Sequence, residues 1–147
     1  MVAMGTMLGY FVFVNHVNVY PWNNLVSSQL PSTLAGVIPF AIYMVAFGFG
    51  VRWLMLIGTV HSYVWLLLQV RQWWVPYLLG PTPIHRDFSW YTEHGYSATI
   101  KVLPTIGDRP VPDAEHIVQQ VLSLVVLITA TRAYLLTRRE ARIRQSA

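Results

Sequence analysis

The chain has no cysteine. That excludes thiol redox chemistry, cysteine-ligated metal, covalent haem attachment and palmitoylation, and it leaves the redox compartment unmarked. Charge is nearly as scarce: 11% of the 147 residues are Asp, Glu, Lys or Arg, against roughly 25% in ordinary soluble domains. Its distribution says more than its total. No Asp, Glu, Lys or Arg occurs from Met1 to Val51, and Arg52 is the only one before Arg71. A water-soluble chain needs charges at its turns, whereas a chain embedded in a bilayer does not. Glycine-rich phosphate loops, nucleophile elbows, heptad runs and internal repeats are missing as well, and Asn23, followed by Asn24 and Leu25, opens no glycosylation sequon. With 54% hydrophobic residues, the composition is that of an integral membrane protein of a single domain.

The basic residues that do occur are nine Arg and one Lys, a bias that points to a GC-rich bacterial genome and so to a bacterial inner membrane. Four of the arginines fall in the segment 137–147, so the formal net charge of +4 reflects a basic tail and does not point to nucleic acid. A basic segment beside a transmembrane helix is a topology signal and a contact for anionic lipid. The N-terminal apolar run lacks the basic start and the small-residue cleavage site of a signal peptide, and reads as a retained span.

Apolar runs predict four spans, at about 1–19, 32–50, 52–71 and 116–136. The first holds a Gly5–Gly9 pair, the spacing that lets helix backbones approach closely, and ends at Tyr20-Pro-Trp, which places aromatics at headgroup level. Pro31-Ser32-Thr33 opens the second, with Ser32 as the expected N-cap and Pro39 as a kink site. Gly48-Phe-Gly50 is too short for a soluble loop and predicts a tight hairpin into the third span. Arg52 and Arg71 bracket that third span nineteen residues apart, roughly 28 Å of helix and about one hydrocarbon thickness. Asp113 is a natural N-cap for the fourth, and with Glu115 it favours the positive end of the helix dipole. The tail carries four arginines in its eleven residues, while the segment 72–115 carries three basic residues in forty-four. The tail is therefore expected in the cytoplasm, the N-terminus with it, and the long loop on the other side. The fold class is all-α: a four-span bundle with a structured outer loop between the third and fourth spans.

The outer loop holds most of the chemistry. Between Arg71 and His116 lie three of the five histidines and five of the six carboxylates. Thr82-Pro83 resembles a helix start, and Ile84, Phe88 and Tyr91 fall on one face of a short amphipathic helix that Gly95 would close. Tyr96 to Leu103 is extended in character, and Gly107-Asp-Arg-Pro110 is a turn. Catalytic candidates are His85, Asp87, His94 and His116, while His85, His94, Asp113, Glu115 and His116 form an oxygen and nitrogen donor set suited to zinc, iron or manganese. No spacing among them matches a strong motif such as H-E-x-x-H. His85-Arg-Asp87 is no kinase catalytic loop, because Thr92 stands where that loop requires Asn. Each candidate also has a structural reading: Asp113 as a cap, Glu115 in a first helical turn, His94 near a helix end.

His61 and His16 are the candidates for a cofactor. His61 lies midway between Arg52 and Arg71, and an ionisable residue at bilayer depth points to a function unless a Ser, Thr or Tyr on another span satisfies it. A haem held by two histidines needs a partner at matching depth, and His16 lies further out. A pigment- or quinone-binding role is the other reading of His61. The six Trp and eight Tyr exceed what two interfacial belts of so small a bundle need. The sequence therefore fits an accessory subunit in contact with lipid and with other membrane chains, or else a small membrane enzyme or cofactor-binding protein with its site at the outer mouth.

Overall fold

A computed structural model describes residues 1–26, 29–80 and 88–146. Five α-helices are present among them: α1 (Val2–His16), α2 (Leu30–Phe49), α3 (Arg52–Leu79), α4 (Phe88–Glu93) and α5 (Ala114–Ser146). A 3-10 turn at Tyr96–Ala98 follows α4, and the described residues contain no strand, only an isolated bridge between Lys101 and Asp113. The fold is all-helical. Three helices, α2, α3 and α5, are long and apolar enough to cross a membrane, and α1 is a shorter apolar helix of 15 residues.

The four larger helices close a ring, with α1 packed on α2 and α5, and α3 packed on the same two. Met4, Met7 and Leu8 of α1, Phe40 of α2 and Val126 of α5 form the centre, with Tyr43 and Trp65 packed around them. The outer faces are apolar too. Leu34, Ile38, Ile42 and Val45, one stripe of α2 at spacings of four, four and three, are 46–56% exposed. A water-soluble bundle would put polar residues there, so the helices are apolar all round, as a membrane location requires.

Close approach between helices falls on different glycines from the Gly5–Gly9 pair. A Cβ on Gly9 would meet nothing within 4 Å, and one on Gly5 only the sulfur of Met44 at 3.9 Å. A Cβ on Gly58 would lie 2.8 Å from Tyr43 Cγ and 2.9 Å from its Cβ, so Tyr43 of α2 lies directly on the α3 backbone. A Cβ on Gly36 would stand 2.6 Å from the Phe11 ring. The expected hairpin between α2 and α3 is present: Gly50 takes φ +68°, a left-handed conformation that glycine adopts without strain, and α3 starts two residues later.

Helix bounds differ from the apolar runs in four places, the first being α1, which ends at His16 and not at about residue 19. The N-cap of α2 is Gln29, and the expected cap Ser32 lies inside the helix with its hydroxyl bonded back to the Gln29 carbonyl at 2.8 Å. The helix α3 does not stop at Arg71 but continues to Leu79 through Pro76, so the connecting segment begins at Gly80 and not at Gln72. The basic tail prolongs α5 without a break to Ser146. At 33 residues α5 is roughly 50 Å long, about 20 Å more than a hydrocarbon core, and its arginine-bearing end reaches beyond the apolar zone.

The extra turns of α3 carry Trp73, Trp74 and Tyr77 up beside the start of α5. Trp74 Nε1 donates to Gln120 Oε1 at 2.7 Å, and Gln69 Nε2 donates to Ser123 Oγ at 2.9 Å. Arg109 then closes α3 by donating to the carbonyls of Tyr77 and Leu78 at 3.2 and 2.8 Å, a cation at the negative end of the helix dipole. The segment between α3 and α5 is thus fastened to the bundle at its far end as well as through Tyr91, which is 2% exposed with its ring 6.4 Å from that of Trp73 in α3.

Candidate functional site

The candidate site is built on the first turn of α5. Asp113 precedes the helix, and its Oδ1 accepts the backbone N–H of His116 at 3.0 Å, which is an N-cap at the third helical position. The same oxygen lies 2.7 Å from His116 Nδ1. The helical spacing of three residues puts ring and cap on one face, so a single carboxylate oxygen both caps the helix and orients the imidazole. Glu115 Oε2 stands 3.5 Å from the same ring nitrogen.

The other oxygen of Asp113 is taken by the loop. Thr99 Oγ1 donates to Asp113 Oδ2 at 2.7 Å, and Lys101 Nζ donates to Thr99 Oγ1 at 2.7 Å and to the Thr99 carbonyl at 3.1 Å. Lys101 Nζ also contacts the Tyr96 carbonyl and lies 5.3 Å from the centre of the Tyr91 ring. Ile100 is held on both sides, its N–H to the Pro21 carbonyl at 3.0 Å and its own carbonyl to the Ala114 N–H at 2.9 Å. Lysine, threonine, aspartate and histidine thus form one continuous chain of hydrogen bonds.

Electrostatics follow from this wiring. Burial of the fully enclosed Asp113 raises its pKa, but the charge and hydrogen bonds of His116, with the Thr99 hydroxyl, outweigh that and hold the carboxyl below its ordinary value. Burial pulls the Lys101 ammonium below its ordinary pKa, with Asp113 opposing. The Tyr91 phenol is pushed up by burial and by Asp113, while its hydroxyl donates to the Val111 carbonyl at 3.1 Å.

The His116 ring sits against Trp73, centroids 4.0 Å apart, and against Tyr96 at 5.3 Å. With Nδ1 turned to Asp113, Nε2 is left without a hydrogen-bond partner among the described residues. His116 lines a polar cavity of about 40 Å³ together with Glu115, His94, Tyr96, Asn15, Asn23, Asn24 and Gln29. That volume holds water or a small ion and no organic substrate. Asn15 also lines it, and its Nδ2 is buried with no hydrogen-bond partner.

Of the residues singled out in the sequence, Asp113, Glu115 and His116 come together, each offering a ligand atom within 4.8 Å of the others. His94 faces the same cavity, with its Nδ1 2.8 Å from the Trp90 carbonyl and its ring stacked on Trp90 at 4.1 Å. His16, at the end of α1, is exposed and does not line the cavity. His85 and Asp87 lie outside the described residues. His61 is far along α3 and belongs to a different place, taken up below.

Two donors about 2.1 Å from a tetrahedral ion stand roughly 3.4 Å apart, whereas Asp113 Oδ1 and His116 Nδ1 are 2.7 Å apart, the distance of a shared proton. The arrangement is that of an imidazole oriented by a carboxylate, on a residue that lines a small polar cavity, which suits holding or moving a proton. No Ser, Thr or Cys lines the cavity among the described residues.

Two structural residues gave no signal in the sequence. Asn23, 2% exposed, accepts the Val19 N–H at 2.6 Å and donates to the carbonyls of Val14 and Val17 at 2.7 and 2.8 Å, closing the end of α1. Thr99 joins Lys101 to Asp113 across fourteen residues. Side-chain amides and hydroxyls in loops are too common for either to stand out.

A comparison with protein-family models, with curated proteins and with solved structures finds no match to this chain.

Proposed function

We propose that this chain is a four-span membrane protein that serves as a non-catalytic accessory subunit of a larger membrane complex. Its α1 completes the bundle as the fourth span, the termini lie in the cytoplasm beside the arginine-rich tail, and the segment 88–113 caps the outer end. The closed ring of α1, α2, α3 and α5 and the asymmetric placement of arginine support that topology.

The observation that carries the subunit reading is the surface of the cap. Among its described aromatic side chains Tyr91 is buried, whereas Phe88 is 38% exposed. The large apolar side chains that the cap exposes are Val102 at 60%, Ile100 at 40%, and Phe88 and Ile106 at 38% each. These residues lie outside the spans, where apolar exposure is costly unless a partner covers it. The polar groups beneath are largely used in holding the cap, and the cavity they line is too small for an organic substrate.

The test is the size of the native assembly in its own membranes. Val102→Asp and Ile106→Asp should leave the chain inserted and folded while shifting it on a native gel from the complex to the free chain. Unchanged migration with both variants, or migration of the wild type as a free chain, sinks this reading.

One observation favours a second reading, a small membrane enzyme using acid–base or metal chemistry at the outer mouth. The Nε2 of His116 and the unpartnered Nδ2 of Asn15 belong to residues that line one cavity. A stoichiometric metal in the purified protein, abolished in His116→Ala, would establish it.

A further inference from the structure

A second place in the molecule is built differently. Tyr43 of α2 and Leu56, Ile57, Val60, His61 and Val64 of α3 line an apolar groove of about 450 Å³ on the outside of the bundle, within the range of small-molecule sites. His61 lies midway along the apolar part of α3. Neither of its ring nitrogens makes a hydrogen bond with the described residues, and Nε2 is buried without a partner. The expectation that a Ser, Thr or Tyr of another span satisfies it is not met. The ring is fixed in place by Phe40 at 5.1 Å and 89°, by Tyr43 at 5.4 Å, and by Trp65 stacked at 6.3 Å and 17°. These neighbours offer at most weak π contacts.

The Tyr43 hydroxyl likewise makes no hydrogen bond with the described residues, and Tyr43 lines the same groove. Its ring is laid on Gly58, where even a Cβ would come within 2.8 Å, so it is positioned as firmly as His61. The His61 Nδ1 and the Tyr43 hydroxyl, which unlike Nε2 are not enclosed, make no hydrogen bond with the described residues. They thus belong to two residues that line one apolar groove at membrane depth, where no water supplies the missing bonds and each unmet group is costly. A lipid acyl chain would fill the space and satisfy neither group. A partner helix is a poor fit, because the groove is walled by bulky Leu56, Ile57, Val60 and Val64, not by the small residues of close helix seams.

We propose that this groove binds a lipid-soluble planar ring bearing carbonyl or hydroxyl oxygens, the chemistry of quinones and quinols, with His61 and Tyr43 as its hydrogen-bonding partners. An imidazole and a phenol each donate and accept, so they serve a carbonyl and a hydroxyl equally. The proposal concerns binding, and it stands whether or not the chain is a subunit of a complex.

The experiment is a titration of the purified full chain in lipid nanodiscs with a short-tailed benzoquinone analogue, read by equilibrium binding and by the nitrogen NMR signals of labelled histidine. Saturable one-to-one binding that shifts the His61 signals is expected. The variants His61→Leu and Val60→Trp should weaken it by about tenfold or more, and His61→Gln, which keeps a donor and an acceptor, by much less. Val60 is 53% exposed, so filling the groove from that position does not depend on the core tolerating the change. Binding that fails to saturate, or that is equal in the wild type and Val60→Trp, overturns the proposal. So does a stable dimer of the wild type that His61→Leu separates, because the occupant would then be a second copy of the chain.

Discussion

Asp113 Oδ1 stands 2.7 Å from the ring Nδ1 of His116 and 3.0 Å from the backbone nitrogen of the same residue. One oxygen atom therefore starts the longest helix and fixes the ring that the cap packs against. The other oxygen receives Thr99 and, through it, Lys101. The cap and the bundle meet at this carboxylate.

Asp113→Ala is expected to destabilise the protein by about 2–4 kcal/mol, the loss of an N-cap added to two buried donors left without an acceptor. Asp113→Asn keeps the cap and should cost about half as much. Unfolding of the detergent-solubilised protein, followed by the fluorescence of Trp73 and its neighbours, measures both. Equal and negligible effects would mean that the carboxylate does not join cap to bundle.

The same group sets a pH dependence with a definite sign. His116 and Thr99 hold the Asp113 carboxyl below its ordinary pKa despite its burial. A depressed carboxyl contributes stability that is complete above its unfolded value, about 3.9, and is lost as pH falls through the lower folded value. Protection of the amides in the segment 96–113 against hydrogen exchange, taken relative to the intrinsic rate at each pH, should therefore fall below about pH 4 in the wild type. In Asp113→Asn that fall should be absent, and a wild type with constant protection across this range would refute the assignment.

Helix contacts give a paired prediction at glycines. Gly58→Ala places a methyl 2.8 Å from Tyr43 Cγ, an atom too near the α2 backbone to swing aside, and should cost about 1–3 kcal/mol by overpacking. Gly9→Ala, with nothing within 4 Å, should be neutral or slightly stabilising. Thermal unfolding of the two variants side by side decides it; the reverse order would restore the Gly5–Gly9 pair as a contact.

The sequence announced the helices through charge and hydropathy, because apolar length is what a bilayer selects. Asp113 was legible as a cap for the same local reason, since capping is settled within four residues. The end of α3 was not legible. Arg71 looks like an interfacial anchor, yet the helix runs on through Pro76 because Trp73, Trp74 and Tyr77 find partners on α5 and in the cap, and Arg109 closes its end from thirty-one residues away. The meeting of Asp113, Glu115 and His116 follows from helical periodicity, whereas the chain from Lys101 through Thr99 to Asp113 depends on a loop path that no periodicity encodes. His61 was conspicuous by its depth. That it has no partner is a fact of packing, which only the arrangement of Phe40, Tyr43 and Trp65 reveals.

The cap should resist tryptic cleavage at Lys101 from the outer side, and the reason is how Lys101 and Arg109, its basic side chains among the described residues, are held. Lys101 Nζ is bound to Thr99 Oγ1, the Thr99 carbonyl and the Tyr96 carbonyl, and the Arg109 guanidinium is bound to the end of α3. Trypsin needs such a side chain in its own pocket and a stretch of backbone pulled free. At Lys101 that requires breaking the Ile100 bonds to Pro21 and Ala114 as well. Cleavage here must await local opening, whose population falls about tenfold for each 1.4 kcal/mol. Thr99→Val, which keeps the shape and removes the hydroxyl shared by Lys101 and Asp113, should therefore speed cleavage at Lys101 by about tenfold. In sealed right-side-out vesicles, Arg138 and Arg139 should remain uncut until the membrane is opened, since the tail is expected on the inner side. Rapid cleavage of the wild type at Lys101 would mean a loosely held cap, and cleavage of the tail in sealed vesicles would invert the topology.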